Sequence, residues 1–260
     1  MNETVIVKNL NIKSGDNSLV KNICFDINKG EIFGLVGESG SGKTITAKSI
    51  INLLPDNLNV SVDEIWVANK DISKLSKSEI KNHIGKNVGY IPQNTVFYLH
   101  PMIKIKNQIL DGYMYHVKKN KKESLEKVSS LLNNVGFENP KEILNLYPWQ
   151  LSGGMRQRVN IAMALLSDPK LIIADEPTTA LDSTVQRQVM DLFYKINKNL
   201  GISILLISHD LGLIKHYSNR LAVMYKGEIV EMGNSNEVFT NPKHSYTQHL
   251  IEVKRGFYGY

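Results

Sequence analysis

Several features that would decide a function at once are scarce in this sequence. Among its 260 residues there is one cysteine, Cys24, which excludes an intrachain disulfide and any cysteine-built zinc or iron–sulfur site. The surrounding LVKNICFDI alternates like a half-buried strand, so a buried structural thiol is expected. Apolar runs are short: ISILLIS at 202–208 falls far below the ~20 residues that cross a bilayer. The first residues, MNETVIVKNL, lack the basic start and apolar core of a signal peptide. The expectation is a soluble, intracellular chain that meets a membrane only through a partner. No internal repeat or low-complexity linker stands out. No aromatic ring lies between Leu10 and Val20.

Charge is present but decides little. A formal net charge of +6 and a pI near 9.1 suit nucleic acid, a membrane surface or anionic small molecules alike. The densest basic run, KKNKKE at 118–123, sits in a polar helical stretch and reads as a solvated face. With 42% hydrophobic and 22% charged residues, the chain suits one large globular domain or two small ones, and it can bury a sizeable core.

Organisation follows from periodicity. TVIVKNLNI and LVKNICFDI read as two short strands joined by a polar turn, SGDNS. EIFGLVG at 31–37 is an apolar, buried-type strand. It runs through ESGSGKT into an apolar-periodic helix, ITAKSIINLL, expected to stop before Pro55. NVGYIPQ at 87–93 is a further strand. From about 94 to 165 the spacing turns helical, in IKNQILDGYMYHV, KESLEKVSSLLNNVGF and GGMRQRVNIAMALL. Strands then return as LIIAD, ISILLIS, RLAVMY and GEIVEMG, with a helix over 183–199 and a shorter one after ISILLIS. Buried strands alternating with helices imply a mostly parallel sheet covered on both faces. The helical middle reads as an insertion into that sheet domain.

Two segments carry the chemistry. GESGSGKT fits G-x-x-x-x-G-K-[ST] and lies between an apolar strand and a helix, where a phosphate-binding loop must lie. Gly37, Gly40 and Gly42 let the backbone wrap close, so that successive N–H groups face phosphate oxygens. The helix beginning at Lys43 adds its dipole. The whole loop, with Glu38, Ser39 and Ser41, is expected to hold a nucleotide. Lys43 is assigned to the β- and γ-phosphates and the Thr44 hydroxyl to Mg²⁺. The second segment, LIIADEP, ends an apolar strand in two carboxylates. Asp175 then falls at the carboxyl edge of a parallel sheet, where ligands bind in such folds. It is expected to hold the Mg²⁺ shell, with Glu176 polarising a water for in-line attack.

Three further stretches gain meaning beside these. His209 closes the strand ending SHD and is read as a donor to the γ-phosphate. Gln93 ends NVGYIPQ, and its amide can both ligate Mg²⁺ and sense the γ-phosphate. In LSGGMRQR at 151–158, Ser152, Gly153 and Gly154 open a helix whose free N–H groups form a second anion site. One nucleotide already has a complete cradle in its own chain. The surplus site makes sense if it serves a nucleotide held by another subunit.

In their order and approximate spacing, GESGSGKT, Gln93, LSGGMRQR, LIIADEP, TALD at 179–182 and His209 resemble the ATPase subunits of ABC transporters over essentially the whole chain. The resemblance implies an α/β fold. A P-loop NTPase core, a mostly parallel sheet with flanking helices, would carry an N-terminal antiparallel β subdomain and a helical subdomain at about 94–165, all within one 1–260 domain. It implies a head-to-tail dimer in which Ser152 and Gly154 of one subunit close over ATP held by Lys43, Thr44, Asp175, Glu176 and His209 of the other. Asp182 would lie at the subunit contact. The helical subdomain would receive a membrane permease, placing the protein on the cytoplasmic face of the cell membrane.

Within that family YPWQLSGGMRQRVNIAMAL, ADEPTTALD and NPKHSYTQHL are similar to the peptide and nickel import group. That similarity implies a second ATPase chain, as heterodimer or homodimer, two integral-membrane permease subunits and, indirectly, an extracytoplasmic solute-binding protein. The chain departs from the group at NTVFYLHP (94–101) and at Ser245. It also lacks the group's frequent cysteine-bearing tail, which leans toward the nickel or metal-chelate branch. The family's adenine-stacking aromatic aligns near Ser14. The rival reading is a nucleic-acid-associated ATPase of the same superfamily, mildly favoured by the basic charge and disfavoured by the import-group tail.

Overall fold

The computed structural model describes residues 2–93, 98–116 and 121–258. Residues 94–97 of NTVFYLHP, Lys118–Asn120 of the basic run and Tyr260 lie outside them. Two sheets organise the chain. In the first, β1 (Glu3–Ser14) and β2 (Asn17–Asn28) form an antiparallel hairpin, extended by β4 (Asn59–Ser61), β5 (Glu64–Val67) and β6 (Lys70–Asp71). At 12 residues each, β1 and β2 are longer than the short strands expected. Paired left-handed residues explain why the alternation looks broken: Asn9 has φ 53° and Asn22 φ 46°. Each shifts the inward set by one position, from Val7 to Leu10 and from Val20 to Ile23.

The same phase corrects the expectation for Cys24. Ile23, Phe25 and Ile27 take the inward positions, so a period of two turns Cys24 out to solvent. Its Sγ accepts a hydrogen bond from the Asn9 N–H at 3.2 Å.

The second sheet has the order β11–β10–β3–β9–β8–β7, formed by β3 (Ile32–Val36), β7 (Val88–Ile91), β8 (Leu171–Asp175), β9 (Ser203–Ser208), β10 (Arg220–Tyr225) and β11 (Glu228–Asn234). All its pairings are parallel except β10 with β11. The central strands are buried on both faces. Ile32, Val36, Ile172, Ala174, Ile204 and Leu206 join one hydrophobic core. Phe33, Leu35, Leu171, Ile173, Leu205 and Ile207 join the other, with the N-terminal sheet. This is the physical meaning of unbroken apolar runs such as SILLIS: successive residues go to opposite cores. Register decides which residues meet at the sheet's edge. Val36 pairs with Ser208, Asp175 with Ile207, and Ile91 with Ala174. The carboxyl ends of four parallel strands therefore finish level.

Helices α3 (Ile105–His116), α4 (Lys121–Asn134), α5 (Pro140–Asn145) and α6 (Gly153–Ala164) fill the stretch between β7 and β8, and no strand interrupts it among the described residues. Their apolar faces, including Ile109, Leu132, Leu144 and Val159, share the core on the helical side of the large sheet. The alanine at the end of α6 presses on β7 so closely that a Cβ at Gly89 would meet the Ala164 carbonyl oxygen at 2.4 Å. The remaining helices are α1 (Lys43–Ile50), α2 (Lys77–Asn87), α7 (Ser183–Leu200), α8 (Leu211–Tyr217), α9 (Ser235–Thr240) and α10 (Ser245–Tyr258). Helix α1 stops short of the expected boundary before Pro55. Asn52 adopts φ 53° and its N–H donates to the Ser49 carbonyl, while Leu53 N–H returns to Lys48. A left-handed asparagine closes the helix as glycine often does. Among the described residues, no helix is long and apolar enough to cross a membrane.

Candidate functional site

The loop between β3 and α1 is shaped by sterics. Gly37 has φ 153°, and a Cβ there would lie 2.1 Å from the Met224 carbonyl oxygen. Gly42 has φ 105° and caps α1 with no side chain, and no acidic residue occupies the helix's first turn. The other caps in this half of the molecule are different: Ser76 and Glu79 form a capping box on α2, Asp182 caps α7 and Asp210 caps α8. Helix α1 alone among these offers its first N–H groups to an external anion.

The loop borders a cavity of about 440 Å³ lined by Ser39, Gly40, Gly42, Lys43, Thr44, Gln93 and Glu176, and closed on the far side by Ser18, Leu19, Lys21, Lys226 and Gly227. Ser14 is not on this wall. This part of the lining is built from the start of β2 and the β10–β11 turn, and among the described residues that line the cavity none is aromatic.

Lys43 is 4% exposed, and its ammonium donates to the Gly37 and Glu38 carbonyls at 2.8 and 2.7 Å. Burial pushes its pKa down, against the opposing charges of Glu176, Asp175 and Glu38. Next to it the Thr44 hydroxyl donates to Asp175 Oδ1 at 3.0 Å, and the Tyr90 hydroxyl donates to Oδ2 at 3.3 Å. Burial, followed by the Asp175 charge, raises the Tyr90 hydroxyl well above its ordinary range. Asp175, at the buried end of β8, is itself pushed up by burial, with the two hydroxyls opposing and the Glu176 charge adding to the shift.

Glu176 is held from three sides. Gln93 Nε2 donates to its Oε2 at 2.8 Å, and the Thr179 hydroxyl donates to the same oxygen at 3.0 Å. His209 Nδ1 lies 3.2 Å from it. The backbone of Glu176 is left-handed, φ 46°, which costs a non-glycine residue about 1–3 kcal/mol. Its N–H is anchored to the Ile207 carbonyl at 2.9 Å. Sequence reasoning finds Gln93, Asp175, Glu176 and His209 and misses Tyr90 and Thr179. Tyr90 is legible in principle, three residues before Gln93 on the strand that flanks β8. Thr179 sits one turn after Glu176.

Ser152, Gly153 and Gly154 are elsewhere. Ser152 Oγ accepts the Met155 N–H at 3.2 Å and caps α6. A Cβ at Gly154 would meet Val185 Cγ1 at 2.7 Å, and one at Gly153 would meet Leu181 Cδ2 at 3.2 Å. The glycines therefore let α6 press against the start of α7. None of the three borders the cavity. Asp182 is exposed and accepts the N–H groups of Thr184 and Val185.

Residues 20–179 match the family described as ABC transporter. The chain belongs to that family. This ABC ATPase is 41% identical over 256 residues to the dipeptide transport ATP-binding protein DppD of Bacillus subtilis, an alignment covering 96% of this chain and 76% of that protein. It is 42% identical over 238 residues to the oligopeptide transport ATP-binding protein OppD of the same organism, covering 91% and 66%. Among solved structures, the dimeric structure of a bacterial ABC transporter cassette superposes with a TM-score of 0.78 at 26% identity, covering 89% of this chain and 98% of that one.

The charge state of Asp175 in this ATPase has a thermodynamic consequence. The folded chain holds the Asp175 proton more readily than the unfolded chain. The site's contribution to stability is thus complete below the ordinary pKa of 3.8 and is lost as pH rises through the raised value. In the presence of a chelator, Asp175→Asn should melt above the wild type at pH 7. The gap should be about 2–4 °C for each kcal/mol of charge penalty removed and should close as the pH falls toward 4. Thermal denaturation across that range checks it; a variant that melts at or below the wild type at pH 7 would show the buried carboxylate to be stabilising.

Proposed function

We propose that this chain is the ATP-binding and ATP-hydrolysing subunit of a peptide importer, energising a membrane permease. The observation that carries the reading is the convergence of Gln93, Thr179 and His209 on one oxygen of Glu176, beside the Thr44–Asp175 pair and the glycine loop. With Oε2 held, Oε1 is the oxygen free to take a proton from an attacking water, general-base work worth typically 10²–10⁴ in rate. Lys43 and the first N–H groups of α1 meet the phosphates. Thr44, Asp175 and Gln93 supply hard oxygen donors in the small number that suits Mg²⁺, which keeps several waters and takes phosphate oxygens besides. Among the described residues no cluster of three or more His, Cys, Asp or Glu offers a richer metal site. An ion held by these residues would neutralise developing phosphate charge.

The partners follow from surfaces. The exposed cap at Ser152 lies outside the chain's own cavity, which supports a head-to-tail dimer where Ser152, Gly153 and Gly154 of each subunit complete the other's nucleotide site, with Asp182 at the contact. That the similar cassette was solved as a dimer supports the same arrangement. Tyr98, Met102, Ile103 and Trp149 are between 39% and 74% exposed. The segment that follows Ile103 is linked to the one that carries Trp149 through the Ile105–Leu146 backbone hydrogen bond, the Tyr147–Trp149 ring stack and Lys104 over Tyr147. An apolar face of this kind on the helical segment 94–165 suits a permease helix at the membrane. The similar proteins are named for dipeptide and oligopeptide transport, which favours peptides over nickel chelates as the solute. Purifying the importer with its binding protein and identifying the bound ligand by mass spectrometry should therefore yield peptides; a metal chelate there would overturn this part of the reading.

Two experiments test the catalytic reading. Glu176→Gln should bind MgATP, hydrolyse it at least ~100-fold more slowly and accumulate a closed dimer; turnover near the wild-type rate would remove Glu176 from the base role. The shared site is tested by mixing. Ser152→Arg should leave ATP binding by the monomer intact but abolish dimerisation and hydrolysis, whereas Lys43→Ala should weaken binding in its own chain. In a form that self-associates, a mixed dimer has one composite site carrying both lesions and one carrying neither. Hydrolysis should then return, and dimers that form without it would sink the shared arrangement.

A further inference from the structure

The glycine loop is tied at its entry to the far end of the chain. The Glu38 N–H donates to the Tyr246 hydroxyl at 3.2 Å. Successive N–H groups of such a loop are its means of holding phosphate, and this one is taken up by a side chain on α10. Tyr246 is itself firmly placed. Its ring stacks on Tyr225, with centroids 4.0 Å apart and planes at 26°. Its own N–H donates to His244 Nδ1 at 3.1 Å. The approach to α10 is pinned by Glu231, whose carboxylate accepts the Lys243 and His244 N–H groups at 2.8 and 3.1 Å.

The same ring stack reaches the loop by a second route. Tyr225 ends β10 and leads directly into Lys226 and Gly227 on the cavity wall. Gly227 N–H donates to the Ser41 carbonyl at 3.1 Å. The loop is thus held at Glu38 by Tyr246 and at Ser41 by the turn that comes after Tyr246's stacking partner. The Gly37 and Glu38 carbonyls accept the Lys43 ammonium, so Tyr246 and Lys43 hold the Gly37–Glu38 peptide group at its N–H and its carbonyl.

We propose that Tyr246 is a positioning residue for nucleotide binding: by accepting the Glu38 N–H it fixes the entry of the phosphate loop, making ATP affinity depend on the C-terminal helix. The proposal rests on Gly37–Thr44 being the phosphate cradle. A phenol suits the role. It is neutral at working pH, all the more because burial pushes the hydroxyl up, whereas a carboxylate in its place would repel the phosphates.

The test uses the full chain and MgATP. Tyr246→Phe keeps the stacked ring and removes only the acceptor. The dissociation constant for MgATP should rise roughly two- to tenfold, the range of one neutral hydrogen bond. The turnover number at saturating ATP should stay at the wild-type value, the nucleotide-free melting temperature should fall by no more than a few degrees, and amide exchange at Glu38 should accelerate. An unchanged dissociation constant with unchanged Glu38 exchange would overturn the proposal. So would a fall in melting temperature with a parallel fall in turnover, which would make Tyr246 a packing residue only. Lys43→Ala separates the two readings. If it loses affinity while Tyr246→Phe does not, the latch fails and the cradle stands; if it binds like the wild type, the cradle reading fails and takes the latch with it.

Discussion

The site depends first on register. Parallel strands β3, β9, β8 and β7 pair so that their last residues finish level, and the residue after each strand is a site residue or leads to one: Gly37 after Val36, Glu176 after Asp175, His209 after Ser208, and Gln93 two after Ile91. A slip of one residue in any pair would turn every apolar side chain of that strand into the wrong core. It would also move one of these polar groups ~3.3 Å along the strand, beyond hydrogen-bonding reach of Glu176. The two cores therefore fix the chemistry indirectly. Burial on both faces leaves each strand one acceptable position, and that position brings a lysine, two carboxylates, an amide and an imidazole to one edge.

Holding these groups there is costly, and the structure shows where the cost is met. Asp175 and Glu176 are adjacent carboxylates at a buried edge, and Glu176 also occupies a left-handed backbone. Offsetting interactions come from short-range donors: two hydroxyls on Asp175, and an amide, a hydroxyl and an imidazole on Glu176. Each is fixed by an element that exists for other reasons, a strand, a helix start or a turn. Strain and desolvation of this kind persist at sites where the surrounding fold over-determines the geometry.

Much of this site is legible in the sequence. A glycine loop between an apolar strand and a helix, and a strand ending in two carboxylates, declare themselves because the chemistry demands those residues at fixed local spacing. Less legible are features that depend on where distant segments meet. Tyr90 acts on Asp175 across a strand pair, and Tyr246 reaches Glu38 from 208 positions away. Cys24 is misjudged when a period of two is taken without its phase, which the left-handed asparagines at 9 and 22 reset. Between Pro55 and Asn87 the sequence signals are weak. Strands β4 to β6 run two to four residues each, too short for a period to show, and α2 buries no residue fully, its apolar face being the single partly buried pair Ile80 and Ile84.

The outward turn of Cys24 has a practical side. It is the only thiol in the chain, it is exposed, and it sits on β2 three residues beyond Lys21, which borders the cavity beside the glycine loop. At ~3.3 Å of rise per strand residue, a dye attached there would stand about 10 Å along the strand from the cavity wall. These 260 residues thus offer a single reporter position for following events at that cavity by fluorescence, with no residue replaced to create it.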